Sequence, residues 1–234
     1  MKYDAILFDM DGTLLPMDNA EFTRGYFGHL TQAVSHLGYT KETLIPAMWK
    51  GVEAMVRNDG LASNETLFWR VFEGIFGKQV YDHIPHFDKF YHTDFHAVKS
   101  LTKPTPLARE IVNLAKMKAG KTVVATNPLF PECAISARLS WANLSPKDFC
   151  LVTTYENSHF CKPNPKYYLE ICEKIGVLPE KCLMVGNNTA EDIISSAKAG
   201  MSTYLVTDCL ICEGEMPSCR QGSLADLKTF LEML

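Results

Sequence analysis

Residues 3–15 read YDAILFDMDGTLL. The apolar run from Tyr3 to Phe8 stops at Asp9, a second acid follows at Asp11, and Gly12 turns the chain away. A short apolar run without polar alternation is the pattern of a strand buried on both faces, as in a parallel sheet. Two carboxylates within three residues repel each other unless a cation or a proton offsets them. In an open parallel sheet, ligands sit beyond the carboxyl ends of the strands. The stretch therefore predicts a fold and a place for a site together, provided that other strands deliver suitable residues to the same edge.

The rest of the chain supplies them. Lys121–Ala125 (KTVVA), 149–154 (FCLVTT), 182–185 (CLMV) and 202–207 (STYLVT) read as four further strands. Helices are expected between them, at Pro106–Lys118, Pro131–Trp141, Lys166–Ile175 and Thr189–Ala199, with a last one from about Leu224 to Leu231. Prolines open two of these and Gly120, Gly176 and Gly200 close three. Strands alternating with helices of this length predict an α/β fold: a Rossmann-like parallel five-stranded sheet with helices on both faces.

Residues 17–99 break the rhythm. They are rich in aromatics and poor in β-branched runs, and four amphipathic helices are expected near 18–37, 41–57, 64–76 and 79–97. An all-helical insertion after the first strand predicts a second, smaller domain, with 1–16 and 100–234 forming the core. Its aromatics are expected to pack as core; Phe22, Tyr26 or Trp69 are those that could line a cleft.

The 234 residues are 47% hydrophobic and 21% charged, with a formal net charge of −4. No basic stripe favours nucleic acid, and no run approaches the roughly 18 apolar residues of a membrane span. The first residues do not resemble a signal peptide, so a cytoplasmic monomer or weak homodimer is expected. The eight cysteines are then simplest as free thiols. Cys209, Cys212 and Cys219 form C-x2-C-x6-C, a partial zinc pattern without a fourth ligand, and read as loop cysteines. His83, His86, His92 and His96 read as a solvated helix face rather than a metal site.

At the predicted sheet edge the residue types are consistent. Beside Asp9 and Asp11 stand Thr126 and Asn127 after the second strand, Lys162 in CKPNP after the third, and Asn187 and Asp192 in LMVGNNTAEDII after the fourth. Oxygen-only ligands (Asp9, Asn187, Asp192 and a backbone carbonyl) favour Mg²⁺ over zinc. A lysine and a threonine facing that ion suit a dianionic phosphoryl group. One carboxylate is then placed to attack phosphorus while the other handles protons.

With these motifs assembled, the sequence resembles the haloacid dehalogenase-superfamily hydrolases, most closely their phosphatases with a helical cap inserted after the first motif. FDMDGTLL, VVATN, CKPNPKYY and LMVGNNTAEDII match the family's four motifs in order. The resemblance implies that Asp9 is the nucleophile and forms an aspartyl-phosphate, and that Asp11 protonates the leaving alcohol and then deprotonates water. It implies that Asp9, the Asp11 carbonyl, Asn187 and Asp192 hold Mg²⁺, and that Thr126, Asn127 and Lys162 bind the phosphoryl oxygens. The residues after Gly12 would form a hinge for the cap. Dehalogenases lack the second acid, so Asp11 favours hydrolysis of a small phosphorylated metabolite. A phosphotransferase or sugar-phosphate mutase, and a non-catalytic phosphate-binding protein, are the alternatives. Asn187 stands where the family usually has aspartate; Glu191 is a possible helper, and Asn187→Asp is expected to lower the Mg²⁺ requirement.

Overall fold

The computed structural model describes residues 2–234. Its centre is a fully parallel sheet in the spatial order β3-β2-β1-β4-β5-β6. The strands are β1 (Ala5–Phe8), β2 (Lys121–Val124), β3 (Leu151–Val152), β4 (Cys182–Gly186), β5 (Ser202–Val206) and β6 (Arg220–Gly222). Every residue of β1 and β4 is buried, which is why their sequences are continuously apolar. β1 is flanked by β2 and β4, with Phe8 opposite both Val124 and Val185. The strand order changes direction at β1, so the crevice beyond its carboxyl end is where a ligand of such a sheet is expected.

The sheet has six strands, not the five expected from sequence. β6 is Arg-Gln-Gly, exposed and at the edge. Three polar residues carry no hydrophobic period, so nothing local marks them as strand; Tyr204–Arg220 and Leu205–Gln221 pairing with β5 makes them one. β3 is two residues long rather than six.

The core helices start and stop where side chains satisfy their free backbone groups. α5 (Pro106–Lys118) has Pro106 in its first turn, and the Thr105 side chain accepts from Leu107 N. α6 (Glu132–Trp141) begins after Pro131. α7 (Pro165–Ile175) is capped by Asn164, whose side chain accepts from Lys166 N, and ends at left-handed Gly176. α9 (Leu224–Glu232) opens with a capping box between Ser223 and Asp226.

Between β1 and α5 lie α1 (Asn19–Val34), α2 (Lys41–Val56), α3 (Asn64–Phe76) and α4 (Val80–His92). The expected continuation of the fourth helix to 97 fails after His92. There His92 and Thr93 turn their side chains back on the carbonyls of Asp88 and Lys89, at 2.7 and 2.8 Å. Such back-bonding competes with the helical ladder; a 3-10 segment, Asp94–Leu101, follows and buries Phe95. The chain leaves and re-enters the sheet layer at one place, where Lys103 N donates to Pro16 O at 2.8 Å and Met17 pairs with Thr102. No helix among the described residues is long and apolar enough to cross a membrane.

Asp148 ties three elements together away from the crevice. It accepts from Ser145 N at 2.9 Å and pairs with Arg109 at 2.8 Å and Lys116 at 3.4 Å. The hydrogen-bonded Arg109 guanidinium, opposed by partial burial, holds its carboxyl below the usual range. A depressed carboxylate stabilises the fold above its ordinary titration range, and that contribution is lost as pH falls. Asp148→Ala is expected to cost about 1–2 kcal/mol through the lost cap. Thermal unfolding at neutral pH should show a Tm lower by a few degrees, with the difference shrinking towards acid pH.

Candidate active site

Asp9 leaves the end of β1 with its N–H donating to Val185 O at 2.8 Å, so the nucleophile candidate is pinned between β1 and β4. One strand away, Ala125 N donates to Phe8 O at 2.7 Å, which places Thr126 beside Asp9 at the same edge. The Thr126 carbonyl accepts from Thr153 Oγ1 and Tyr167 Oη, each at 2.7 Å. These anchors come from the end of β3 and from α7, so the loop after β2 is held rigidly in the crevice.

Lys162 is fully enclosed. Its ammonium donates to Asp9 Oδ1 at 2.8 Å and to Asp192 Oδ1 at 2.6 Å. Burial alone would push its pKa down, but the two carboxylates outweigh that and raise it well above the usual lysine value, so the ammonium stays charged. Asp192 is raised, by burial first, against the pull of Lys162. Its second oxygen accepts from Asn188 N at 2.9 Å, so both carboxylate oxygens are engaged.

The segment carrying Asp192 is a π-helix, Thr189–Ile194, running into α8 (Ser195–Lys198), where an ordinary α-helix was expected. Asn188 causes the wide first turn: its side chain accepts from Ala190 N and Glu191 N, and its carbonyl accepts from Asp192 N at 2.8 Å and Ile193 N at 3.4 Å. A wide turn accommodates one extra residue and re-aims the side chains around it. Here it lays Asp192 against Gly186, where an added Cβ would meet the carboxylate carbon at 2.3 Å.

Asn187 is held from both ends of its amide. Nδ2 donates to Cys209 O at 2.6 Å, which turns Oδ1 towards Thr13, whose hydroxyl donates to it at 3.0 Å. The same hydroxyl stands 3.2 Å from Asp9 Oδ2. Gly12 has φ +84° and lies so close to the amide that a Cβ would meet Nδ2 at 2.3 Å; only glycine meets both demands. Thus Asp9 Oδ2 and Asn187 Oδ1 converge on one small space, and the donors there are all oxygen, which fits a hard divalent cation. Among the described residues no group of three or more His, Cys, Asp or Glu is disposed to hold a metal. The two oxygens that meet at the Thr13 hydroxyl belong to one carboxylate and one amide.

Asn127 faces Glu191: its Nδ2 donates to Glu191 Oε2 at 3.2 Å, while its own Oδ1 is buried without a partner. The histidines named from sequence diverge. His83 bonds Tyr39, His86 bonds His36, and His96 accepts from Trp141 Nε1.

Asp11 has a partner that sequence reasoning missed. Arg138, on α6, is 1% exposed and pairs through Nη1 with Asp11 Oδ2. Its guanidinium also stacks over Phe130 with 4.3 Å between Cζ and the ring centroid. Burial raises the Asp11 pKa; Arg138 opposes that shift. Asp11 Oδ1 and Arg138 Nη2 are both buried with no hydrogen-bond partner. A signal was present in α6: the only charge in AISARLSW sits among apolar residues at helical spacing, Ala134, Ile135 and Trp141. Thr13 was also overlooked, because a threonine in DGT reads as ordinary turn chemistry.

A model of the haloacid dehalogenase-like hydrolases matches residues 3–200, and the chain belongs to this family. It is similar to the pyrophosphatase PpaX of Bacillus cereus (strain AH820), with 26% identity over 88% of this chain and 84% of the relative. Its fold is shared with a HAD phosphatase from Thermococcus onnurineus, at a TM-score of 0.61 and 18% identity over 97% of each chain. The fold is likewise shared with a 2-haloacid dehalogenase from Pseudomonas syringae pv. Tomato DC3000, at a TM-score of 0.67 and 16% identity over 99% of each.

Proposed function

We propose that the protein hydrolyses an organic phosphomonoester, with Asp9 as nucleophile and Asp11 as proton carrier. The observation that carries this reading is the buried Lys162 clasped between Asp9 and Asp192 at the carboxyl edge of β1 and β4. A charged lysine in that position neutralises phosphoryl oxygens arriving at Asp9.

In the first half-reaction an Asp9 oxygen bonds to phosphorus as the P–O bond to the alcohol breaks, and Asp11 gives its proton to the departing oxygen. In the second, water attacks the same phosphorus, passes a proton to Asp11, and releases phosphate with the Asp9 carboxylate restored. Arg138 occupies only one Asp11 oxygen, so Oδ1 is free to face the leaving group. Burial favours the protonated acid, as a general acid requires. Thr126 and Asn127 would bind phosphoryl oxygens alongside Lys162. Asp9, the Asp11 carbonyl and Asn187, backed by the charge of Asp192, would hold Mg²⁺, which supplies charge neutralisation at the phosphoryl group when bound. Residues 17–99 would act as a cap on the core formed by 1–16 and 100–234, with their shared edge at Pro16 and Lys103 as the hinge.

The test is phosphate release from a phosphomonoester panel with and without Mg²⁺; silence across the panel would sink the reading. The phosphotransferase alternative would appear as phosphoryl transfer to an added alcohol without phosphate release.

Asn187 allows a sharper expectation than the sequence did. Asn187→Asp adds a charge beside Asp9 but removes the donor to Cys209 O, setting two oxygens against each other at 2.6 Å. In EDTA the variant should be less stable by about 1–3 kcal/mol. Its half-saturating Mg²⁺ concentration should nonetheless fall. A variant of unchanged stability in EDTA would show that the amide does not make this bond.

A further inference from the structure

A partly open, mainly apolar cavity of about 220 Å³ lies between α1–α4 and the residues leading into α6, and Asp11 and Arg138 are part of its lining. Its walls include Phe22, Tyr26, Met48, Trp69 and Phe130. Tyr26 and Tyr91 share one hydroxyl–hydroxyl hydrogen bond at 2.8 Å, which leaves one of the two O–H groups able to donate. Apolar cavities of roughly 150 Å³ stay dry and take up benzene; this one has room for a ring and a short linker. Close packing is the rule in protein interiors, so a void of this size among aromatics is a binding feature before it is a packing fault.

We propose that the cavity receives the alcohol side of the substrate, and that this alcohol carries a compact apolar body the size of one aromatic ring. Three observations carry the assignment. The cavity shares Asp11 with the reacting edge of the sheet, so a group seated in it is joined to a phosphate facing Asp9 through the atom that Asp11 protonates. Its lining is mainly aromatic and aliphatic, with Asn19, Thr23, Asp88 and the unpartnered Trp69 Nε1 as polar groups beside Asp11 and Arg138, so the hydroxyls of a sugar or glycerol phosphate that face its carbon walls stay unpaired at a cost of roughly 1–3 kcal/mol each. Arg138 Nη2 is buried without an acceptor, and an oxygen on the alcohol side, close to the ester, would supply one. Arg138 is therefore assigned a substrate-orienting role beyond its hold on Asp11.

The inference rests on the hydrolase reading for the ester end alone, and binding and turnover separate the two. Calorimetry on the full chain with Mg²⁺ compares benzylphosphonate with methylphosphonate, neither of which has an ester bond to break. Benzylphosphonate should bind at least tenfold more tightly, with a negative heat-capacity change. Val52→Trp, which fills the cavity from α2, should remove that advantage. Thr23→Phe on α1 is the second variant should the first fail to fold. In turnover, benzyl phosphate should exceed 2-phosphoglycolate, glyceraldehyde 3-phosphate and pyrophosphate in kcat/KM by tenfold or more. Equal affinity for the two phosphonates, or an advantage that survives a folded cavity-filling variant, would overturn the assignment. Tight benzylphosphonate binding without hydrolysis of any ester would support the cavity and overturn the phosphatase reading. Preferred hydrolysis of the small polar esters would do the reverse.

Discussion

Asp9→Asn should keep the fold and lose at least about 10⁴-fold in kcat/KM, the scale on which removing a nucleophile acts. The substitution preserves volume: an amide oxygen can still accept from Lys162 Nζ, 2.8 Å from Asp9 Oδ1, while the amide NH2 takes the place of Oδ2 beside the Thr13 hydroxyl, which can accept from it. What disappears is the anionic oxygen that the proposed mechanism sets against phosphorus. Circular dichroism and Tm should stay close to wild type while phosphate release falls to background. Turnover within tenfold of wild type would assign the nucleophile elsewhere.

Lys162→Met should be damaging in two separable ways. It leaves Asp9 and Asp192 facing each other in a buried site without their shared cation. Removing one partner from a buried ion pair costs about 3–5 kcal/mol, which for a chain of this length lowers Tm by roughly 10 °C. It also removes the charge proposed to meet the phosphoryl group, with a further expected loss of about 10²–10³ in kcat when measured well below the unfolding transition. Adding Asp192→Asn to the same chain removes one of the two stranded carboxylates. The double variant should regain much of the lost stability but none of the lost activity. A single variant as stable as wild type would mean that these groups are solvated rather than enclosed.

Most of the fold was legible because its informative segments are strongly patterned. AILF and CLMV are too uniformly apolar to be anything but buried strands or buried helix. Length and the turn residues that bound them decide for strand. The starts at Pro106 and Pro131 were readable from their prolines, whereas the caps at Thr105, Asn164 and Ser223 are seen in the structure. The elements that escaped owe their conformation to neighbours rather than to their own composition. β6 is strand only because β5 lies beside it. The end of α4 turns on two side chains bonding back to the ladder, and the wide turn at Thr189–Ile194 on the bonds to Asn188.

The site divides the same way. Each of Asp9, Asp11, Thr126, Lys162 and Asn187 follows a strand, and parallel alignment was enough to bring them to one edge. Which oxygen of Asp11 is engaged, and by what, depends on Arg138, 127 residues away in sequence. No local pattern carries that pairing. Asp192 was expected at the metal, whereas both its oxygens meet Lys162 and Asn188 N; its share in metal binding is therefore argued from charge. Phe22, Tyr26 and Trp69, named from sequence as aromatics that could line a cleft, all border the cavity beside Asp11.

The most direct measurement is peptide mapping by mass spectrometry after acid quench of the enzyme during steady-state turnover of a phosphomonoester with Mg²⁺. The expected result is one phosphoryl group on the peptide that contains Asp9, absent without substrate and absent in Asp9→Asn. A phosphoryl group on any other residue, or sustained turnover with no phosphorylated peptide under conditions that preserve acyl phosphates, would contradict the account.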